Sequence, residues 1–348
     1  MYFIFFTYIL WVLYVKKLLI ALILVFSIFP KSTIVGASND ISYILLDAES
    51  GRVMYEKNKD KRFLTASIAK IMTCLVAIEY GDLFAMCKVD YETTRVEGSS
   101  VYLEENDEIL LYDLLCGLML RSGNDAATLI SKTVFNDEKE FVDKMNYLAR
   151  KIGMTNSTFE NPTGLNIDSF NFSTAFDMAK LMKYAMENEI FVNITTKKTH
   201  RVITLNNEYY WVNKHKLIQK TDYVKAGKTG YTKDSGRTLV SYAEINQMKL
   251  IAVSFNENSH YELHELLFNK AKAEFSKKQV LEKGVYKQGI ETLNYYPYVK
   301  EDVLLLIKKN SLVKAKFYLS DEEENYYEIY ENDILIYSGI LYQYHLKS

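Results

Sequence analysis

The chain has 348 residues, 49% of them apolar and 25% charged, with a formal net charge of −2. That is globular composition with enough apolar surface for a real core, and the length suggests two or three domains. The near-neutral balance lacks the basic patch of a nucleic-acid binder, so no nucleic-acid partner is expected.

Residues 2–15 are almost wholly apolar, Lys16 and Lys17 follow, and a second apolar run covers 18–29. The lysine pair, that run and Val35-Gly36-Ala37 read as the basic, apolar and cleavage parts of a secretory signal spanning 1–37. The uncharged stretch before Lys16 departs from this plan; a later start, or retention of both runs as a membrane anchor, accommodates it. On either reading the body is exported to the cell envelope or secreted, and membrane association through the N-terminus belongs to the second. Cys74, Cys87 and Cys116 form an odd set, so at least one is unpaired. Cys74 and Cys116 fall on apolar helical patterns, where a free thiol acts as a small hydrophobe.

From residue 41 a strand runs to 47, turns at Glu49-Ser50-Gly51 and resumes over 53–56 as a hairpin. A helix starts near 65–67, with Ile68, Ile71, Met72, Leu75 and Ile78 at three- and four-residue spacing, and stops at Gly81. A second carries Leu114, Leu115, Leu118 and Met119 and breaks at Ser122-Gly123, and a third follows through Ala126, Ala127 and Ile130. Helices are also expected over 141–152 and over 173–187, the latter with Ser173 or Thr174 as its cap. Short β-rich runs at 201–205, 209–212, 225–229, 238–244 and 249–255 precede a helix over 261–275. Strands, helices, strands and a helix imply one sheet built from both ends with a helical subdomain inserted. The last residues open with a lysine-rich joint and continue as strand-like runs at 302–307, 313–319, 326–330 and 334–337, a small separate β domain without an amphipathic terminal helix.

Three motifs carry chemistry. In Ser67-Ile68-Ala69-Lys70 the serine and lysine share a helix face. A serine hydroxyl needs a base, and lysine serves only when burial or nearby positive charge discourages its ammonium form. The helix N-terminus beside Ser67 favours an oxyanion there. Alone, such a motif is more often a cap with a solvated lysine, as at Ser311-Leu312-Val313-Lys314. Ser122-Gly123-Asn124 would present a polar prong to Ser67, with the Ser122 hydroxyl relaying a proton and the Asn124 amide binding a substrate carbonyl. Lys228-Thr229-Gly230 lies on a strand, with Lys228 and Gly230 on one face and Thr229 on the other. Gly230 leaves room for a substrate to pair with the strand edge, and Lys228 and Thr229 would hold a terminal carboxylate.

These elements in this order resemble the penicillin-recognising serine enzymes. Their flanks, with Gly98-Ser99-Ser100-Val101-Tyr102-Leu103, Asn161-Pro162-Thr163-Gly164-Leu165 and Ser173-Thr174-Ala175-Phe176-Asp177, are similar to the low-molecular-mass penicillin-binding proteins that are serine-type D-alanyl-D-alanine carboxypeptidases. The resemblance covers roughly 40–275. It implies an α/β, β-lactamase-like catalytic domain over 38–276, an antiparallel sheet flanked by helices, followed by the small β domain over 277–348. It also implies a two-step removal of the terminal D-alanine from peptidoglycan stem pentapeptides, with Ser67 as nucleophile and Lys70 as base. Ser122 and Asn124 would shuttle a proton and orient the peptide, and Lys228, Thr229 and Gly230 would receive its terminus. The backbone amides of Ser67 and Tyr231 would form the oxyanion hole, and β-lactam antibiotics would acylate Ser67 as covalent inhibitors. No metal or organic cofactor is implied. The chain departs from the family at Thr163, where histidine is frequent, and at His215, where a second asparagine is.

A β-lactamase and a penicillin-binding sensor are the alternatives. The first lacks its Glu-x-x-Leu-Asn loop here, since Glu160-Asn161-Pro162-Thr163-Gly164-Leu165-Asn166 has the wrong spacing. The second is opposed by the intact set of Ser67, Lys70, Ser122, Asn124 and Lys228. Arg237 would add positive charge near the carboxylate. His260 and His264, four apart, have no third ligand at readable spacing, so they read as a solvated helix face and not as a zinc site.

Overall fold

In the computed structural model, five strands build the main sheet: β1 (Ser42–Asp47), β2 (Val53–Lys57), β3 (Val224–Thr232), β4 (Gly236–Ile245) and β5 (Met248–Phe255). They lie in the order β2-β1-β5-β4-β3 and pair antiparallel throughout. The structure describes residues 40–287, 295–320 and 324–345; the signal or anchor expected over 1–37 lies outside them. Among the described residues, no helix is long and apolar enough to cross a membrane.

Strand alternation divides the core in two. Ile44 and Leu46 of β1, Val240 and Tyr242 of β4, and Ile251, Val253 and Phe255 of β5 face one cluster. Leu45, Ala243, Leu250 and Ala252 face another. The first cluster is filled by α1 (Lys70–Tyr80), α2 (Leu111–Arg121), α3 (Asn124–Phe135), α4 (Glu138–Ile152) and α5 (Ala175–Ala185). The second is closed by α6 (His260–Glu274) through Leu267, Phe268 and Ala271. With both faces covered, β5 needs apolar residues at nearly every position, which is why it reads as a continuous hydrophobic run. The free thiols Cys74, Cys87 and Cys116 are all buried.

Local signals set the helix ends. Thr174 accepts a hydrogen bond from the Asp177 amide at 3.0 Å and caps α5. Asp137 caps α4 three residues earlier than expected, because a polar first turn carries no hydrophobic period. Ser122 ends α2 in the left-handed conformation, with φ 68° and ψ 32°.

The lysine-rich joint is not a linker. α6 runs directly into β6 (Phe275–Leu281), which pairs with β7 (Val303–Lys308), so residues 276–278 sit in a sheet. Their charged side chains hid the strand, because a two-stranded ribbon leaves one face to solvent. A further sheet of β8 (Val313–Tyr318), β9 (Tyr326–Glu331) and β10 (Ile334–Ile340) encloses a small core around Ile307, Tyr327 and Ile329. Arg52 reaches across from the hairpin, 2.5 Å from both the Leu306 carbonyl and the Glu331 carboxylate. Ser311 and Lys314 lie here on a turn and a strand, and Lys314 pairs with Asp333 at 2.8 Å.

Candidate active site

Ser67 sits in the 3-10 turn Ala66–Ala69 that leads into α1. The Lys70 amino group is fully buried and has three polar neighbours. Its Nζ lies 3.3 Å from Ser67 Oγ, 2.6 Å from Asn124 Oδ1, and within hydrogen-bond reach of the Thr163 carbonyl. Asn124 is oriented by its own Nδ2, which donates to the Glu97 carbonyl at 2.6 Å. Two of the three neighbours are therefore acceptors only. A neutral amine satisfies both with its two N–H groups and keeps its lone pair for the Ser67 hydroxyl. Burial pushes Lys70 down to about 7; the Asp125 charge opposes the shift and the Lys214 charge adds to it. When the amine is neutral, its lone pair is thus left facing Ser67 Oγ.

The Thr163 carbonyl reaches Lys70 on a tightly organised loop. Asn161 Oδ1 accepts from the Thr163 amide at 3.1 Å and the Gly164 amide at 2.7 Å, while Thr73 Oγ1 holds the Pro162 carbonyl at 2.7 Å. Gly164 is required there. Its φ is +77°, and a Cβ would stand 2.0 Å from the Ala66 carbonyl oxygen.

Ser122 enters from the α2–α3 break, where a left-handed non-glycine residue costs about 1–2 kcal/mol and is a common mark of a functional position. Its Oγ accepts from Lys228 Nζ at 2.9 Å. Lys228 is fully buried, also bonds the Thr229 carbonyl at 2.9 Å, and is held well below the usual lysine range by burial and then by Lys70 and Lys214. The register pairs Lys228 with Val240 and Gly230 with Thr238, so both face the helical side as the alternation requires, with Thr229 opposite. A Cβ on Gly230 would come within 2.9 Å of the Ser67 amide nitrogen, so only glycine lets β3 approach Ser67 this closely.

A cleft of about 540 Å³ opens over these groups, lined by Ser67, Ser99, Ser122, Thr229, Tyr231 and Arg237 among others. Lys70, Asn124 and Lys228 stand behind its wall. The motifs thus separate into cleft-facing groups and a buried layer that supports them. Sequence reasoning did not find the Thr163 carbonyl, since a backbone acceptor has no side-chain signature. Nor did it assign Asp125, whose carboxylate accepts from Ser100 Oγ at 2.5 Å and from the amides of Val101 and Leu103 at 3.0 and 3.2 Å, fixing the loop that carries Ser99.

The profile of the D-alanyl-D-alanine carboxypeptidase family, peptidase S11, matches residues 33–259. The chain belongs to that family. Within peptidase S11 it is similar to the D-alanyl-D-alanine carboxypeptidase DacF of Bacillus subtilis, 33% identical over 224 residues, covering 63% of this chain and 57% of the relative. It is also similar to DacC of Escherichia coli, 34% identical over 224 residues, covering 61% of this chain and 55% of the relative. The chain thus spans little more than half the length of these two relatives. Penicillin binding protein 5 from Haemophilus influenzae shares the fold, with a TM-score of 0.74 over 87% of this chain and 96% of that one at 23% identity. The fold is that of the penicillin-recognising serine enzymes, and the family that matches is that of the D-alanyl-D-alanine carboxypeptidases.

One expectation is corrected at this peptidase S11 site. His260 and His264 do not lie on a solvated helix face; both are buried. His264 bridges Ser241 Oγ at 2.9 Å and Ser254 Oγ at 3.0 Å, and His215 Nε2 joins the same Ser241 hydroxyl at 2.9 Å. Serines at alternate positions of β4 and β5 place this polar chain on the α6 side of the sheet, which the helical period alone could not reveal. Among the described residues, no group of three or more His, Cys, Asp or Glu side chains could hold a metal. Burial pushes His215 down to about 3, with the Lys228 charge adding to the shift, and His264 lies well below its ordinary value.

A stability prediction follows from the sign of that shift. Unfolded histidines take up protons near pH 6.5 and the buried ones do not, so stability present above 6.5 is lost as pH falls towards 3. Each neutral buried histidine contributes a slope of about 1.4 kcal/mol per pH unit in that window. Urea unfolding at pH 7.5, 6.5 and 5.5 is expected to show falling midpoints and a shallower fall in His215→Asn. Equal slopes in the two proteins would refute the assignment. Lys228 contributes in the same sense to both, so the difference isolates His215.

Proposed function

We propose that the protein is an exported serine-type D-Ala-D-Ala carboxypeptidase that removes the terminal D-alanine from peptidoglycan stem pentapeptides. Residues 38–276 form its catalytic domain and 277–348 an accessory β domain. The observation that carries this reading is the buried Lys70 beside Ser67, with its other two neighbours both acceptors.

Ser67 Oγ attacks the carbonyl carbon of the penultimate D-alanine while its proton passes to Lys70 Nζ. The oxyanion is received by the backbone amides of Ser67 and Tyr231, and the substrate pairs with the edge of β3. The C–N bond then breaks, and the leaving amine takes up the Ser67 proton, passed from Lys70 through Ser122, which leaves Lys70 neutral again. Water attacks the Ser67 ester and gives a proton to Lys70, and Lys70 returns it to Ser67 Oγ as that oxygen leaves and the shortened stem is released. Lys228 acts from behind Ser122, holding and polarising that hydroxyl. Asn124 aims Lys70, since both ends of its amide are engaged. Thr229 and Arg237 line the cleft and receive the terminal carboxylate, with Lys228 adding its field from the buried layer. No cofactor enters any step. A β-lactam presents the same carbonyl and carboxylate and stops at the ester with Ser67.

The test is D-alanine release from diacetyl-L-Lys-D-Ala-D-Ala by residues 38–348. Release supports the reading. Covalent penicillin binding without release would overturn it and leave a sensor.

A further inference from the structure

A second pocket of about 420 Å³ lies back to back with the cleft, lined by Tyr102, Glu104, Arg121, Tyr210 and Trp211 among others. The two share one wall. Ser99 and Ser122 line the cleft, while their chain neighbours Ser100 and Arg121 line the second pocket. Asp125 clamps that wall through Ser100, Val101 and Leu103, so the spacing between the pockets is fixed.

The lining has the features of a recognition site and little that the fold requires. Tyr102 is 77% exposed and held at φ 63°, a left-handed conformation that an aromatic residue adopts at a cost. Tyr210, 62% exposed on the 199–212 hairpin, lines the same pocket. Arg121 is half-buried, and no carboxylate among the described residues pairs with it. Its neighbour Lys214, also without an ion-pair partner, is held below the usual lysine range by partial burial and then by the Arg121 charge. Glu208 is already neutralised by Arg201 at 2.7 Å. A half-buried guanidinium with no carboxylate partner, in a pocket it shares with the exposed rings of Tyr102 and Tyr210, is matched by a carboxylate on an apolar stem.

We propose that this pocket is a subsite for a carboxylate carried by the stem peptide upstream of the scissile bond, with Arg121 as its cation and Tyr102 and Tyr210 as its aromatic lining. The inference rests on the carboxypeptidase reading of the cleft. An extended peptide advances about 3.3 Å per residue, so a pocket across one shared wall meets the second or third residue of the stem. Two carboxylates are available there: the α-carboxylate of a γ-linked D-glutamate at position 2, and the free carboxylate of a diaminopimelate at position 3.

Four stem pentapeptides separate the sources, with D-glutamate or D-isoglutamine at position 2 and meso-diaminopimelate or L-lysine at position 3. The full chain is expected to show a kcat/KM at least about fivefold higher for the peptide bearing the recognised carboxylate. In Arg121→Gln that ratio is expected to fall to within about twofold of unity, whatever the variant's absolute rate. The position at which the ratio collapses identifies the source. Equal kcat/KM for all four peptides with the wild type, or a preference that survives Arg121→Gln, would overturn the subsite. So would a preference for the lysine peptide that Arg121→Gln enhances, which would mark Glu104 as the operative charge. Calorimetric binding of the same peptides to Ser67→Ala, with and without Arg121→Gln, keeps the two readings apart. An Arg121-dependent preference without any D-alanine release sinks the catalytic reading alone, and release with equal affinities sinks the subsite alone.

Discussion

Ser67→Ala is expected to abolish D-alanine release, by on the order of 10⁴-fold or more, and to eliminate the covalent penicillin adduct seen by mass spectrometry. The substitution removes one oxygen from a half-buried position and leaves the buried layer intact, because Lys70 keeps Asn124 Oδ1 and the Thr163 carbonyl. Its thermal midpoint should therefore stay within a few degrees of the wild type. Loss of both activities in a folded protein assigns the nucleophile. Residual adduct formation at the wild-type rate would move it elsewhere, and Ser122 and Ser99 are the other serines lining the cleft.

Lys70→Arg is expected to lower acylation by about 10²- to 10⁴-fold, the range for loss of a positioned general base. A guanidinium keeps the positive charge and donates to the same acceptors, but it does not deprotonate at accessible pH. The variant therefore separates two roles that a neutral substitution would confuse. If Lys70 only stabilised negative charge, arginine would retain much of the rate. If it accepts the Ser67 proton, raising the pH should not restore the variant. Stopped-flow acylation by a chromogenic β-lactam distinguishes the two outcomes. Because the Lys70 pocket is closed on all sides, a stability measurement should accompany it; overpacking costs about 1–3 kcal/mol.

Much of this arrangement was legible in the sequence, for reasons that differ between elements. The hairpin of β1 and β2, the helices α1, α2 and α3, and the break at Ser122-Gly123 carried period and punctuation together, so type and position agreed with the structure. The alternation over Lys228-Thr229-Gly230 placed Lys228 on the face that meets Ser122. Depth was not legible. The motif implied that Lys228 binds substrate, whereas the fold buries it behind Ser122, and no local pattern distinguishes a lysine in the cleft from one beneath it. The histidines of α6 failed for the same reason: His264 is buried because Ser241 and Ser254 on two other strands receive it. The Thr163 carbonyl left no trace beyond the turn-forming Asn-Pro-Thr-Gly that presents it. β6 was missed because its lysines match a linker as well as a ribbon.

The proposed chemistry requires Lys70 to lose its proton near neutral pH. The pH dependence of the second-order rate constant for acylation by benzylpenicillin tests this most directly. The rate is expected to rise about tenfold per pH unit below a midpoint near 7, where Lys70 loses its proton, and to level off above it. A rate independent of pH through 7, or a midpoint near the ordinary lysine value of about 10.4, would contradict it.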